Sequence, residues 1–198
     1  MQHEGFPGGQ HRRLAVGQRR SSQRYSTTAM SLHWLIALLI MAGFYLGWIM
    51  TDIPGFTPTK LKYFSWHKWI GVTVFALAAI RLAWRLTHRA PEMPSGMAPL
   101  QKLAAQAAHV ILYVLMFVIP ASGYLYSSAA GIQVVYLGIV PLPTLIGPDA
   151  ALKVVLKTVH IWLNYTLLAL VAVHTLAALK HHFIDRDGVL TRMIPFLR

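Results

Sequence analysis

The sequence contains no cysteine and only 6 acidic residues in 198. The missing thiols exclude a disulfide scaffold, a thiolate-held iron–sulfur cluster, a zinc ribbon and a thioether-linked c-type haem. The shortage of acids leaves little room for hydrolysis by paired carboxylates, and no phosphate-binding loop or catalytic-triad motif occurs. Charge of either sign is sparse at 12% of residues, against about a quarter in an ordinary globular domain. What is abundant is apolar, 56% of residues with a mean hydropathy of +0.50. Ten histidines make imidazole the one plentiful strong metal ligand.

A net charge of +12 would suit nucleic acid only if the basic residues shared a face, and here they lie between apolar blocks. Such blocks run from Tyr25 to Thr51, Trp69 to Ile80, Leu103 through Tyr126 and beyond, and Thr158 to Leu179. About 20 residues at ~1.5 Å each cross the ~30 Å hydrocarbon layer, so the first, third and fourth blocks qualify directly. The second qualifies once extended from Tyr63 to Leu86, with Lys68 and Arg85 snorkelling from its ends and Tyr and Trp at the interfaces. The expected fold is an all-α membrane protein, a four-helix bundle with spans near 26–50, 63–86, 101–126 and 153–181.

The charge-free stretch from Leu103 to Ile146 is long enough for two spans, but its second half holds Gly131, Gly138, Pro141, Pro143 and Gly147 and is a poor helix. Four spans also place Arg12, Arg13, Arg19, Arg20, Arg24, Arg81, Arg85, Arg89, Lys102, Lys180, Arg186, Arg192 and Arg198 on one side. Lys60, Lys62, Lys68, Lys153 and Lys157 remain on the other. A fifth span would divide the basic segments between the two faces, against the positive-inside rule. Residues 127–150 are therefore expected to form an apolar, partly re-entrant extracytoplasmic loop, with both termini cytoplasmic. Residues 1–24 read as a disordered basic tail touching anionic lipid, residues 25–186 as the membrane domain, and 187–198 as a cytoplasmic tail.

Histidines in spans are costly unless paired or ligated. His160 and His174 are 14 residues apart on one span, which returns them to within ~40° of the same face and separates them by ~21 Å. Each needs a partner at its own depth. His33 lies on the cytoplasmic side of the first span, as His174 does of the fourth; His67 opens the second span on the outer side, level with His160. Depth alone also allows His109 in place of His33. Two imidazoles per level suit a planar cofactor with its own four nitrogens better than a four-ligand zinc site, so each pair is expected to hold a haem b. Gly47 and Gly123 lie 14 residues after His33 and His109, and Gly71 one turn after His67; each permits close backbone approach, either for a porphyrin or for small-residue helix packing. Arg81, 14 residues after His67, either meets a haem propionate or snorkels.

The runs Ser31-Leu32-His33-Trp34, Trp66-His67-Lys68, His109-Val110-Ile111-Leu112-Tyr113, Val159-His160 and His174 through His182 resemble the prokaryotic cytochrome b561 family, as does the closing Arg192-Met193-Ile194-Pro195. The resemblance runs from Tyr25 to the C-terminus. It implies a four-helix bundle with two b haems in a bacterial inner membrane, and as iron ligands His33, His174, His67 and His160, favouring His33 over His109. It also places a quinone near His181.

Two haems stacked across a bilayer with both axial positions filled carry electrons and do not activate oxygen. The outer lysines outnumber Asp52 and Asp149 and form a patch that either steers a small anion or meets lipid headgroups. The family includes superoxide oxidase, so the expected reaction moves electrons from superoxide to ubiquinone. Two other readings stay open: a haem-bearing membrane anchor relaying electrons for a partner dehydrogenase or hydrogenase, and a non-haem transporter of metal or protons, which would be colourless. Nucleic acid is not an expected partner.

Overall fold

The computed structural model describes residues 24–94 and 96–194. Four long helices account for most of them: α1 (Thr27–Asp52), α2 (Pro58–Thr87), α3 (Pro99–Ala129) and α4 (Ala150–Lys180). All four are long and apolar enough to cross a membrane, and their order gives an up-down-up-down bundle.

The helix boundaries follow from local chemistry. The hydroxyls of Ser26 and Thr57 accept from the amides of Ala29 and Lys60, and the carboxylate of Asp149 accepts from Leu152; each satisfies an amide that the first turn leaves unpaired. Pro58 and Pro99 occupy first-turn positions, where the missing N–H costs nothing. Gly131, at φ +72°, ends α3. Its amide bonds Ser128 and that of Ile132 bonds Ser127, the Schellman arrangement that needs a left-handed residue after the helix.

Beyond Gly131 the chain forms no fifth helix. Strands β1 (Val135–Tyr136) and β2 (Val140–Pro141) make a small antiparallel hairpin, with Val135 opposite Pro141. The hairpin lies against α2: Trp69 Nε1 donates to the Val135 carbonyl at 2.7 Å, and Thr73 Oγ1 meets the Tyr136 hydroxyl at 2.9 Å. Tyr124 donates to the Pro143 carbonyl from α3. Trp69 and Thr73 are one turn apart, and Trp69 is rotated ~200° from His67 around the helix, so the hairpin covers a flank of α2 and not its histidine face.

The deeply buried core is small. Leu115 and Ile119 of α3 pack on Leu167 of α4, with Ile40 and Phe44 of α1 around them, while residues such as Leu38, Trp48, Trp162 and Leu176 point outward. That distribution belongs to a bundle whose solvent is lipid. Helix α1 packs along α2, α2 along α3, and α3 along α4. By contrast, neither α1 nor α2 comes into extensive close contact with α4.

At the end of the bundle that carries His33 and His174, called inner after the sidedness expected from the sequence, residues 187–194, which the sequence suggested as a tail, are folded onto the bundle through the 3-10 turn Leu190–Arg192. Trp34 Nε1 donates to the Met193 carbonyl at 2.9 Å, and Arg192 Nη1 to that of Glu92 at 2.6 Å. The apolar Leu190, Met193 and Ile194 give this segment something to bury. The suggested tail at 1–24 lies, except for Arg24, outside the described residues.

Candidate cofactor site

The gap between α4 and the α1–α2 pair is bridged by histidines. His33 of α1 faces His174 of α4 with ring centroids 6.2 Å apart, and His67 of α2 faces His160 of α4 with centroids also 6.2 Å apart. The ring planes cross at 69° and 84°. The 14 residues between His160 and His174 set the two pairs ~21 Å apart along the bundle.

The outer pair is held in one orientation. His67 Nδ1 bonds the Gly43 carbonyl at 3.0 Å. His160 Nδ1 bonds the Ile119 carbonyl at 3.1 Å and the Ser122 hydroxyl at 2.9 Å, and that hydroxyl donates its own proton to Ile119. Carbonyl oxygens only accept, so both Nδ1 atoms carry the proton and both Nε2 atoms keep a free lone pair, the tautomer a metal ligand requires. Pro120 interrupts the α3 ladder beside this network.

Backbone glycines make room for the rings. A Cβ on Gly123 would stand 2.9 Å from His160 Cε1 and 3.2 Å from Nδ1, and one on Gly47 would stand 3.5 Å from His67 Cε1. Both glycines thus sit at the outer level, but what they approach directly is a histidine ring. A Cβ on Gly71 would meet only Pro120, at 3.9 Å, which is ordinary packing of α2 on α3.

The inner pair has different surroundings. His174 also lies near His109 of α3, with ring centroids 5.5 Å apart. His109 and His174 stand on helices that pack together along their length, whereas His33 and His174 face each other from helices without extensive close contact. Arg81 donates to the Ala29 carbonyl at 2.6 Å, which ties α2 to the start of α1. It also lines an inner cavity of about 1580 Å³, shared with Arg85, Tyr113, His181, Asp187 and Arg192. His181 Nδ1 lies 2.6 Å from Asp187 and 3.3 Å from Asp185, while Lys180 pairs with Asp185 at 2.6 Å.

At the outer face Lys60 donates to the Ile53 carbonyl and Lys62 lies over the Trp66 ring. Asp149 is engaged as the cap of α4. No ion pair joins these lysines to an acid among the described residues.

Sequence reasoning found all the paired histidines but missed their supports. Ser122 and the carbonyls of Gly43 and Ile119 leave little trace in a sequence. Ser122 does stand between Pro120 and Gly123, a cluster of breaker and small residues at the depth of His160, and that was the available signal. Tyr113 was visible one turn after His109 without a role.

A bundle of four apolar helices with imidazoles facing each other across a held-open gap has the architecture of a membrane cytochrome. The family model of prokaryotic cytochrome b561 matches residues 24–196, and the chain belongs to that family, whose members carry b-type haem and move electrons in bacterial membranes. The chain is 34% identical over 172 residues to cytochrome b561 homolog 2 of Escherichia coli, covering 87% of this chain and 92% of that protein. Similarity extends to the probable superoxide oxidase CybB of Yersinia pestis at 27% identity, covering 87% and 97%, and to cytochrome b561 homolog 1 of E. coli at 28%, with the same two coverages.

The residues fit a haem. Metal–imidazole bonds of about 2 Å on either side of one iron put two ring centroids about 6 Å apart, which both cross-gap pairs match.

Proposed function

We propose that the protein binds two b haems, one between His33 and His174 and one between His67 and His160, and carries electrons across the inner membrane from an outer one-electron donor, superoxide, to ubiquinone at the inner side. The observation that carries this reading is the repetition of the same 6.2 Å separation at two levels, on helices that leave α4 a gap. Bound haem supplies a one-electron couple with both axial positions filled, so partners meet its edge and not its iron.

The residues of the chain set direction and access. Lys60, Lys62, Lys68, Lys153 and Lys157 give the outer end an excess of positive charge that draws a small anion. The β1–β2 hairpin between α3 and α4 leaves the histidine face of α2 uncovered. At the inner end His181, oriented by Asp187, has its Nε2 available to a quinone oxygen and can pass it a proton. Both termini then lie in the cytoplasm. The overall exchange balances: two superoxide ions each give up one electron and leave as oxygen, and one quinone takes two electrons and two cytoplasmic protons to become quinol. The similarity to a probable superoxide oxidase at 27% identity supports superoxide as the donor.

Purification in detergent, followed by the reduced-minus-oxidised spectrum and a haem-to-protein ratio, tests this directly. Two low-spin b haems reduced by superoxide and reoxidised by quinone are expected. Two haems indifferent to superoxide would instead favour the membrane anchor of a partner dehydrogenase, and a colourless protein would favour the transporter.

Two variants, one triple and one single, separate the ends. Lys60→Gln with Lys62→Gln and Lys153→Gln should slow reduction by superoxide severalfold and flatten its salt dependence; unchanged rates would remove steering. His181→Ala should leave reduction by superoxide intact and slow reoxidation by quinone about tenfold or more. Equal reoxidation rates in both proteins would place the quinone elsewhere.

A further inference from the structure

Tyr113 carries the one buried side-chain polar atom without a hydrogen-bond partner among the described residues. It stands on α3 four residues after His109, on the same face. A tyrosine on a helix leans toward the helix N-terminus, and the N-terminus of α3 is the inner end, so the hydroxyl reaches back to the level of the inner histidines. It opens on the inner cavity, as do Arg81 and Arg85. The Arg85 guanidinium lies 5.9 Å from the Tyr113 ring centre and makes no hydrogen bond or ion pair among the described residues.

Two of the acids lining the cavity are engaged, Asp185 with Lys180 and Asp187 with His181; the third, Glu92, gives its backbone carbonyl to Arg192 and bonds neither Tyr113 nor Arg85. A buried phenol O–H without an acceptor and the exposed Arg85 guanidinium over its ring therefore line one cavity from α3 and α2, next to a third donor, Arg81. Burying a hydroxyl this way is costly unless something absent from the chain accepts from it. Two cations beside it favour an anion, and the fork of Arg85 favours a carboxylate.

We infer that Tyr113 and Arg85 form the receptor for a haem carboxylate at the inner site, with Arg81 beside them; this rests on the two-haem reading above. Their part is positioning and charge balance: Tyr113 donates its O–H to a carboxylate oxygen and Arg85 donates N–H groups to the same anion. Removing these donors leaves the negative charge uncompensated, which favours the oxidised iron and loosens the cofactor.

Potentiometric titration and haem transfer to apomyoglobin test this in the full-length holoprotein. Tyr113→Phe, which removes one oxygen, and Arg85→Gln should each lower the midpoint potential of one haem and leave the other in place. Each should also release that haem about 10- to 100-fold faster, the loss of one charge-assisted hydrogen bond, and Arg85→Lys should restore the potential while only partly restoring retention. Two haems with unchanged potentials and release rates in both Tyr113→Phe and Arg85→Gln would overturn the assignment while leaving the two-haem reading intact. A changed quinone KM with unaltered haem potentials would overturn it as well, giving the hydroxyl to the quinone. A wild-type protein with no inner haem would instead remove the reading on which it rests.

Discussion

His67→Ala or His160→Ala should remove the outer haem and His33→Ala or His174→Ala the inner one, each leaving about half of the haem absorbance, since in the proposed arrangement each pair would ligate one of two similar chromophores. Each pair brings two imidazoles face to face, and alanine has no lone pair to replace one. The sharper comparison is His109→Ala. The ring of His109 is nearer to that of His174 than His33 is, at 5.5 Å against 6.2 Å, so proximity alone would select it. The close packing of α3 on α4 and the shorter 5.5 Å separation argue against an iron between that pair, and His109→Ala should keep both haems low-spin. The measurement is the haem-to-protein ratio with the low-temperature spectrum of each variant. Loss of the inner haem in His109→Ala with its retention in His33→Ala would exchange the ligand and move the cofactor to the other side of α4. Retention of both haems in any of the four pair variants would end the pairing.

The features legible in the sequence were those governed by hydrophobic length and helical period. Four charge-free blocks gave four spans because a lipid interior tolerates little else, and the breakers from Gly131 to Gly147 excluded a fifth, as the Schellman end and hairpin now explain. The 14-residue interval between His160 and His174 was readable because a helix has a fixed rise and turn. What required coordinates was anything depending on contacts between helices. The proton on His160 Nδ1 depends on a carbonyl 41 residues away, and no periodicity announces it. The role of Gly123 was half legible: its depth followed from counting, but whether it faced a cofactor or a ring did not. Arg81 bonds the Ala29 carbonyl, a contact that charge and depth could not suggest. The fold of residues 187–194 onto α1 and the second-to-third loop was hidden because three short-range apolar residues look the same in a tail and in a lid over a bundle end.

Gly123→Ala should cost the outer haem, and Gly47→Ala should not. The two glycines look alike in the sequence and lie at the same depth, on α3 and α1. They differ in distance: an added methyl at 123 falls 2.9 Å from His160 Cε1, inside any tolerated contact, whereas at 47 it falls 3.5 Å from His67 Cε1, an ordinary van der Waals separation. At position 123 the intruded-upon group cannot simply turn aside. Its Nδ1 is held by Ile119 and Ser122, so rotation or retreat of the ring breaks those bonds. Helix α3 would have to move off α4 instead, disturbing the Leu115, Ile119 and Leu167 cluster; overpacking of this kind costs about 1–3 kcal/mol, enough for a ~5- to 150-fold loss of haem affinity. Spectra of the two variants at equal protein concentration decide the matter. Gly123→Ala with a full complement of low-spin haem would mean that α3 yields more easily than its contacts imply, while loss of the outer haem in Gly47→Ala alone would mean that the limiting approach is on the His67 side.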